Sequence, residues 1–230
     1  MSLSTSVRGL GKPLLMIMSL ITLTANAEST FSPLEKTVEQ YAKSHKLPAL
    51  AIQVNDAKGE VWSYSYGEVT HGNKHVDNHT PFRVGSVTKL FTDIAVMQLL
   101  EEGLISLSSP VTNYLPTFSP NNPFQTSITI EMLLTHQSGL VREPPKGNYF
   151  DTKPITLEQV VDSINSTSLI YEPGSKVQYS NAALAVLGRI IEVVRKDSFS
   201  SIINQMLISP LGMDNTHTAI SPDLIRKMPQ

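Results

Sequence analysis

Ser86 and Lys89 are the two residues whose types and spacing are best suited to covalent chemistry. They stand three positions apart at the start of an apolar segment, predicted to be a buried helix over residues 87–100, so their side chains share one face. A serine hydroxyl becomes an effective nucleophile when a neighbouring base takes its proton. A lysine surrounded by apolar side chains favours its neutral form and could act as that base. The pair predicts a nucleophilic serine, although Ser-x-x-Lys alone also fits a helix-capping serine followed by a solvated lysine.

A second group of reactive side chains, Tyr179, Ser180 and Asn181, precedes another apolar segment. It offers a phenol, a hydroxyl and a carboxamide within one turn. Ammonium groups near a phenol lower its pKa because they favour the phenolate. The phenolate could relay a proton between the serine and a leaving group. Taken alone, however, the segment is more typical of a helix-capping turn with a packed tyrosine.

Two short strands near the N-terminus and helices over the rest of the chain must position these motifs. The first helix is predicted to open at Ser32, with Pro33 in its first turn and Glu35 completing a capping box, and to end before Pro48. The sequence also predicts a β-hairpin of strands 49–54 and 61–66, a polar loop over 70–80, and helices over 130–135 (capped by Thr129), 157–164 (with a Thr156–Gln159 capping box), 182–196 and 198–207.

Taken together, four segments resemble the serine β-lactamase and penicillin-binding protein superfamily. They follow the order and rough spacing of its class C-like branch, which includes D-Ala-D-Ala peptidases, related esterases and D-amino-acid amidases. The segments are FRVGSVTK at 82–89, LLTHQSGL at 133–140, PGSK at 173–176 with YSN at 179–181, and PLGM at 210–213. The resemblance extends from about Phe31 to about Thr218. It implies an α+β fold in which an antiparallel sheet is flanked by helices and joined to a mostly helical region.

The resemblance also implies a role for each matching residue. Ser86 is expected to be the acylated nucleophile, and its backbone N–H one arm of the oxyanion hole. Lys89 is expected to activate the serine, and Tyr179 to act as general base in acylation and as proton donor to the leaving group. Asn181 is expected to bind the substrate amide. The segment around His136 is expected to be structural, and the lack of a Glu-x-x-Leu-Asn segment favours the tyrosine-based branch.

One departure from the superfamily pattern concerns its third motif, Lys-Thr-Gly or His-x-Gly, on a strand that lines the site. Neither sequence occurs between Asn181 and Gln230. We therefore expect residues 28–230 to form the N-terminal part of a β-lactamase-related serine hydrolase domain that is truncated and lacks the C-terminal strands of the sheet. The second oxyanion N–H would be missing as well, and loss of one such donor lowers rates by roughly 10²–10³.

The first 27 residues are typical of a secretory signal peptide. Arg8 and Lys12 form a basic region, residues 14–24 are apolar, and Ala25-Asn26-Ala27 provides a cleavage site. The alternative is an uncleaved membrane anchor, although spanning a bilayer takes about 20 apolar residues. The chain has no cysteine and therefore no disulfide and no lipid attachment site in the signal. We expect export, most plausibly to a bacterial periplasm, with no stable membrane span after cleavage.

Charge and composition argue against several other classes of function. The net charge of −2 and the lack of a Lys/Arg run exclude a typical nucleic-acid partner. No nucleotide-binding glycine loop is present, and we expect no cofactor. His71, His75 and His79 stand four residues apart and would share one face of a helix as metal ligands. Gly72 and Asn73 favour a loop instead, so we predict no metal site.

Three hypotheses for the function follow. The first is an exported serine hydrolase that forms an acyl-enzyme at Ser86 with a β-lactam, a D-Ala-terminated peptide or an ester. The second is a penicillin- or peptidoglycan-binding module without turnover, and the third is an inactive fragment. The partner expected in the first two is a small-molecule or peptidoglycan-like substrate.

Overall fold

The computed structural model describes residues 31–69, 74–148, 151 and 153–229, so the predicted signal peptide lies outside the described residues. Within them the chain forms seven α-helices, three strands and three shorter helical turns. The elements are α1 Ser32–Ser44, β1 Ala49–Asp56, β2 Gly59–Val69, β3 Lys74–His75, α2 Thr88–Glu101, α3 Ile130–Leu134, α4 Leu157–Ile164, α5 Asn181–Arg195, α6 Phe199–Ile203 and α7 Pro222–Lys227, with 3₁₀ turns at Gly85–Val87 and Val111–Asn113 and a π-helical turn at Asn204–Ile208.

The two long strands form the predicted β-hairpin. They pair antiparallel from Ala49 opposite Gly67 to Asp56 opposite Gly59, with a bulge after Val54. Gly67 adopts φ +96°, and a Cβ at this position would lie 2.1 Å from the carbonyl oxygen of Pro48. Only glycine fits this close approach of the chain to the end of the hairpin. The predicted strands are therefore confirmed and are longer than the apolar pattern alone indicated.

Strand β3 replaces part of the predicted polar loop. Lys74 pairs with Val69, and His75 pairs with Glu68, so the sheet has the order β1-β2-β3. The prediction of a loop over residues 70–80 is thus wrong for residues 74–75. Both side chains of β3 are exposed. The strand therefore lacks the apolar alternation by which a half-buried strand is found in a sequence.

Helix α1 begins at Ser32, as predicted, but its predicted capping is wrong. The N-cap residue is Phe31, not Ser32, and it makes no side-chain capping bond. Glu35 does not close a capping box; its Oε1 accepts a hydrogen bond of 2.9 Å from Nε1 of Trp62 on β2. The rings of Phe31 and Trp62 stack with their centroids 5.1 Å apart. These tertiary contacts fix α1 against the sheet and occupy the carboxylate that the capping box would have used. The helix ends before Pro48, as predicted.

The α5 helix forms the centre of the hydrophobic core. It packs against α2, α3, α4 and α6, which explains why its sequence is apolar on nearly all faces. The predicted helix over residues 182–196 is thereby confirmed. Its buried residues are Ala182, Ala183, Val186, Leu187, Gly188, Ile190 and Ile191.

Only one face of α2 is buried. Ala95, Val96 and Leu99 are fully buried against the core, whereas Leu90 and Ile94 are 60% and 48% exposed. The prediction of a buried helix is therefore right for one face and wrong for the other. An apolar helix face is suited to burial, but the sequence of the helix does not show whether another helix or strand packs against that face.

The remaining helix ends follow local capping chemistry. Thr129 accepts a hydrogen bond from the Met132 backbone N–H at the start of α3, as predicted. Thr156 and Gln159 form the predicted capping box of α4. The sequence analysis missed α7, although Ser221 caps it and Pro222 occupies its first turn.

The helix predicted over residues 198–207 is present but not uniform. The α-helical part ends at Ile203, and the chain continues as the π-helical turn, with Ile202, Leu207 and Ile208 buried in the core. Together with the three-stranded antiparallel sheet, these helices confirm the predicted α+β architecture.

Candidate active site

The predicted nucleophile lies at the junction between a tight turn and a helix. Ser86 is exposed within the 3₁₀ turn that leads into α2, and Lys89 is half-buried in the first turn of α2. Gly85, which precedes the serine, has φ +52°. A residue with a Cβ is strained in this left-handed conformation, so glycine suits the turn that presents Ser86. The two side chains lie on one helical face, as their spacing predicts.

All four predicted site residues come together in the structure. The Ser86 Oγ and the Tyr179 hydroxyl oxygen are 2.7 Å apart. Lys89 Nζ donates to Oδ1 of Asn181 at 2.8 Å and lies 3.4 Å from Ser86 Oγ. Two segments that are more than 90 residues apart in the sequence thus form one continuous hydrogen-bond network.

The buried Ser180 fixes the second segment. It is the N-cap of α5, where its Oγ accepts a hydrogen bond from the Ala183 N–H at 3.0 Å and donates one to the Val141 carbonyl at 2.7 Å. The backbone N–H of Asn181 donates to the Arg142 carbonyl at 2.7 Å. The structure is therefore compatible with both interpretations of this segment. Ser180 caps the helix, as a capping turn requires, and its two neighbours, Tyr179 and Asn181, face Ser86 and Lys89.

Cations surround the Tyr179 phenol. Lys89 Nζ lies 4.9 Å from the centroid of its ring, and the Arg142 guanidinium carbon lies 5.2 Å away. Burial by itself would raise the pKa of Tyr179. Hydrogen bonding with Lys89 and Ser86, together with the charges of Lys89 and Arg142, outweighs burial and lowers this pKa below its ordinary value. The surroundings thus favour the phenolate, which is the form that can accept a proton from Ser86.

His136 supports the Tyr179 segment from behind. Its Nδ1 accepts a hydrogen bond of 3.3 Å from the Ser180 N–H, and its carbonyl accepts one of 2.8 Å from the Gln178 N–H. Its ring lies 4.7 Å from the Tyr179 ring, centroid to centroid. Burial, followed by the charge of Lys89, lowers the pKa of His136 and so favours the neutral ring, whose Nδ1 can accept a hydrogen bond. These contacts agree with the prediction that the segment around His136 is structural.

Two neighbouring charged residues belong to the site and were not singled out in the sequence. Arg142 lies against the Tyr179 ring, and Glu143 Oε1 accepts a hydrogen bond of 2.7 Å from Nδ2 of Asn181. The only available signal was their position directly after the segment LLTHQSGLV. Nothing in the spacing of Glu143 and Asn181, which are 38 residues apart, indicates that they touch.

The three histidines considered as metal ligands lie only partly within the described residues. His75 lies on β3 with its ring exposed, 4.0 Å from Glu68. His71 lies outside the described residues. Within the described ranges, no group of three or more histidine, aspartate or glutamate side chains is arranged to hold a metal ion.

Comparison with known proteins places the chain in a family. The family model described as Beta-lactamase matches residues 34–224, and the chain belongs to this family of serine hydrolases. The resemblance to the β-lactamase and penicillin-binding protein superfamily is thereby confirmed.

Individual relatives agree with this assignment. The D-alanyl-D-alanine-carboxypeptidase/endopeptidase AmpH of Escherichia coli K12 is 31% identical over 185 residues, which cover 78% of this chain and 47% of AmpH. Protein flp of Staphylococcus aureus N315 is 30% identical over 190 residues, which cover 81% of this chain and 37% of flp. The octameric penicillin-binding protein homologue from Pyrococcus abyssi superimposes with a TM-score of 0.71 at 27% identity, over 80% of this chain and 44% of that one. The chain thus spans less than half the length of each of these relatives.

Proposed function

We propose that this protein is a serine hydrolase that forms an acyl-enzyme at Ser86. The observation that carries the proposal is the 2.7 Å separation of Ser86 Oγ and the Tyr179 hydroxyl, two groups 93 residues apart in the chain. A serine becomes a nucleophile when a base lies within hydrogen-bond distance of its hydroxyl. Here the phenol has a lowered pKa and a lysine within the same network, so it is suited to be that base.

In the proposed acylation, the Tyr179 phenolate takes the hydroxyl proton of Ser86 as Oγ attacks the acyl carbonyl carbon. The carbonyl π electrons move to its oxygen, which the backbone N–H of Ser86 helps to stabilise. The carbonyl then re-forms, the bond to the leaving group breaks, and Tyr179 gives its proton to the departing atom. Water hydrolyses the resulting Ser86 ester through the same proton transfers, and this regenerates the free hydroxyl.

The other two residues hold this centre and the substrate. Lys89 is proposed to activate Ser86, since its Nζ lies 3.4 Å from Oγ and places a cation beside the phenolate. Asn181 is proposed to donate a hydrogen bond from its carboxamide to an amide carbonyl on the acyl side of the substrate. The roles are those that the family resemblance implies, and the distances within the network support them.

The proposed substrates are β-lactams, D-Ala-terminated peptides or esters, all of which carry an acyl group that can be transferred to a serine. The names of the relatives support this range, because AmpH is a D-alanyl-D-alanine carboxypeptidase/endopeptidase and the Pyrococcus protein is a penicillin-binding protein homologue. A module that is acylated by penicillin or peptidoglycan peptides without turnover would use the same four residues. The two functions differ in the rate of deacylation.

Export to a bacterial periplasm is part of the proposal, and it rests on the sequence of residues 1–27. Among the described helices, none is both long and apolar enough to cross a bilayer. Cleavage after Ala27 would give a mature chain that starts at Glu28. The mass of the protein recovered from the periplasm of an expressing bacterium measures this start directly.

Intact-mass spectrometry after incubation with benzylpenicillin or with p-nitrophenyl acetate tests the function, with Ser86→Ala as the matched control. Ser86→Ala removes only one exposed hydroxyl, so its circular dichroism spectrum should equal that of the wild type. An adduct on the wild type alone indicates acylation with slow deacylation. Hydrolysis that depends on Ser86, without a stable adduct, indicates a hydrolase with turnover. Labelling of Ser86→Ala, or a wild type that neither carries an adduct nor hydrolyses either compound, contradicts the proposal.

A further inference from the structure

The Asn181 carboxamide lies between an anion and a cation. Its Nδ2 donates to Oε1 of Glu143 at 2.7 Å, and its Oδ1 accepts from Nζ of Lys89 at 2.8 Å. Both distances are short for hydrogen bonds that involve nitrogen, as expected when one partner is charged. The chain of contacts therefore runs from Glu143 through Asn181 to Lys89, and from Lys89 to Ser86.

These two partners determine which way the carboxamide faces. An ionised glutamate can only accept hydrogen bonds, and a lysine ammonium can only donate them. The NH₂ group of Asn181 must therefore face Glu143, and its oxygen must face Lys89. A carboxamide that turned over would bring its NH₂ to the ammonium and its oxygen to the carboxylate, losing both hydrogen bonds.

Glu143 is well placed to act on Asn181 rather than to serve as a surface charge. Its side chain is 34% exposed, whereas that of its neighbour Arg142 is 66% exposed. Arg142 Nε lies 3.6 Å from the same Oε1, which is too long for a hydrogen bond and fits a weak, solvent-screened ion pair. In the part of the chain that the structure describes, the 2.7 Å bond to Asn181 is the one hydrogen bond found for the Glu143 carboxylate.

We infer that Glu143 is a positioning residue of this site, which acts on the reaction through Asn181. It holds the Asn181 oxygen on Lys89, and so fixes the ammonium beside Ser86. It also engages one N–H of the carboxamide, so the second N–H is directed to an amide carbonyl on the acyl side of the substrate. The inference rests on the proposed acyl-transfer function for its consequence in rate, but the orientation of the carboxamide is independent of activity.

A double-variant cycle tests the effect on rate. Acylation by benzylpenicillin is measured for Glu143→Leu, Glu143→Gln and Asn181→Ala, and for Glu143→Leu combined with Asn181→Ala. Glu143→Leu should slow acylation by about 10- to 100-fold, the range expected for loss of one hydrogen bond to a charged group. Glu143→Gln retains an acceptor oxygen and should recover most of that loss. In the Asn181→Ala background, Glu143→Leu should have no further effect, because the residue through which Glu143 acts is gone.

An equal loss of acylation rate from Glu143→Leu in the presence and absence of Asn181 would overturn the inference, and so would a wild-type rate in Glu143→Leu.

Nuclear magnetic resonance supplies a measurement that needs no activity. In protein with ¹⁵N-labelled asparagine, the Asn181 NH₂ signals are identified by their loss in Asn181→Ala. The Asn181 side-chain N–H proton that is hydrogen-bonded to the Glu143 carboxylate should resonate downfield in the wild type and move upfield in Glu143→Leu. An unchanged chemical shift would contradict the contact. If the wild type neither becomes acylated at Ser86 nor hydrolyses any acyl donor, the proposed function fails, and the inference is then decided by this shift alone.

Discussion

Tyr179→Phe is the substitution that most directly separates the proposed proton transfer from everything else at the site. It removes the hydroxyl that lies 2.7 Å from Ser86 Oγ and leaves the ring that packs against His136. A positioned general base contributes about 10²–10⁴-fold to a rate, so acylation should slow by that factor. Folding should be little affected, because one hydrogen bond contributes about 0.5–1.5 kcal/mol to stability.

The assay is the rate of acylation by benzylpenicillin, followed by stopped-flow or quenched mass spectrometry across a range of pH. The cations around Tyr179 lower its pKa, so the phenolate is populated at a lower pH than for a free phenol. The wild-type rate should therefore rise with pH as Tyr179 ionises, with a midpoint below the value of about 10 of an unperturbed phenol. The same rise should be missing from Tyr179→Phe.

Two results would refute this reasoning. An acylation rate of Tyr179→Phe within tenfold of the wild type would show that the hydroxyl is not the base. A pH dependence that is the same in both proteins would show that the titrating group is elsewhere. The unfolding free energy of the variant, measured in urea, distinguishes loss of the proton transfer from loss of the fold.

Two further substitutions test the lysine and the core. Lys89→Met should slow acylation by about 10²-fold or more, because it removes the cation that lies 3.4 Å from Ser86 Oγ. The control is Lys58→Met, at an exposed lysine of the hairpin turn. Equal acylation rates in the two variants would contradict a role for Lys89. Leu187→Ala should lower the unfolding free energy by about 2–5 kcal/mol because its side chain is fully buried in α5. Leu90→Ala, at a leucine that is 60% exposed, should change that free energy by no more than about 0.5 kcal/mol, and urea denaturation that shows similar effects for both leucines would contradict the burial.

The sequence predicted the elements whose signals are local. The capping box of Thr156 and Gln159 depends on residues three positions apart, and it forms as expected. The apolar pattern of α5 depends on burial on all sides, which its position in the core provides. The capping of α1 failed because Glu35 bonds to Trp62, 27 residues away, and no local rule includes such a contact. Strand β3 was missed because its two side chains are exposed and leave no alternating pattern.

The site residues, too, divide into those that local sequence signals predict and those that depend on tertiary contacts. Ser86 and Lys89 could be predicted as a pair because helical spacing alone brings them together. Tyr179 and Asn181 were predicted by family resemblance, since their approach to Ser86 depends on the packing of α5 against α2. Glu143 and Arg142 were not predicted, because their contacts with Asn181 and Tyr179 arise where a loop crosses the start of α5. The exposed face of α2 could not be predicted either, since apolar composition does not distinguish a covered face from an open one.

The contact between the loop at residues 141–142 and the start of α5 connects the hydrophobic core to the candidate active site. The Ser180 hydroxyl donates to the carbonyl of Val141, and the next N–H along the chain, that of Asn181, donates to the carbonyl of Arg142. The loop at residues 141–142 therefore holds the N-terminus of α5 in a fixed register. Because Tyr179 and Asn181 flank the buried Ser180, the same two hydrogen bonds that tie the start of the central helix to the loop also set the distance of the phenol from Ser86 and of the carboxamide from Lys89. The charged side chains of Arg142 and Glu143 extend from this same loop, so the groups that surround Tyr179 and orient Asn181 are fixed by the contact that fixes the helix.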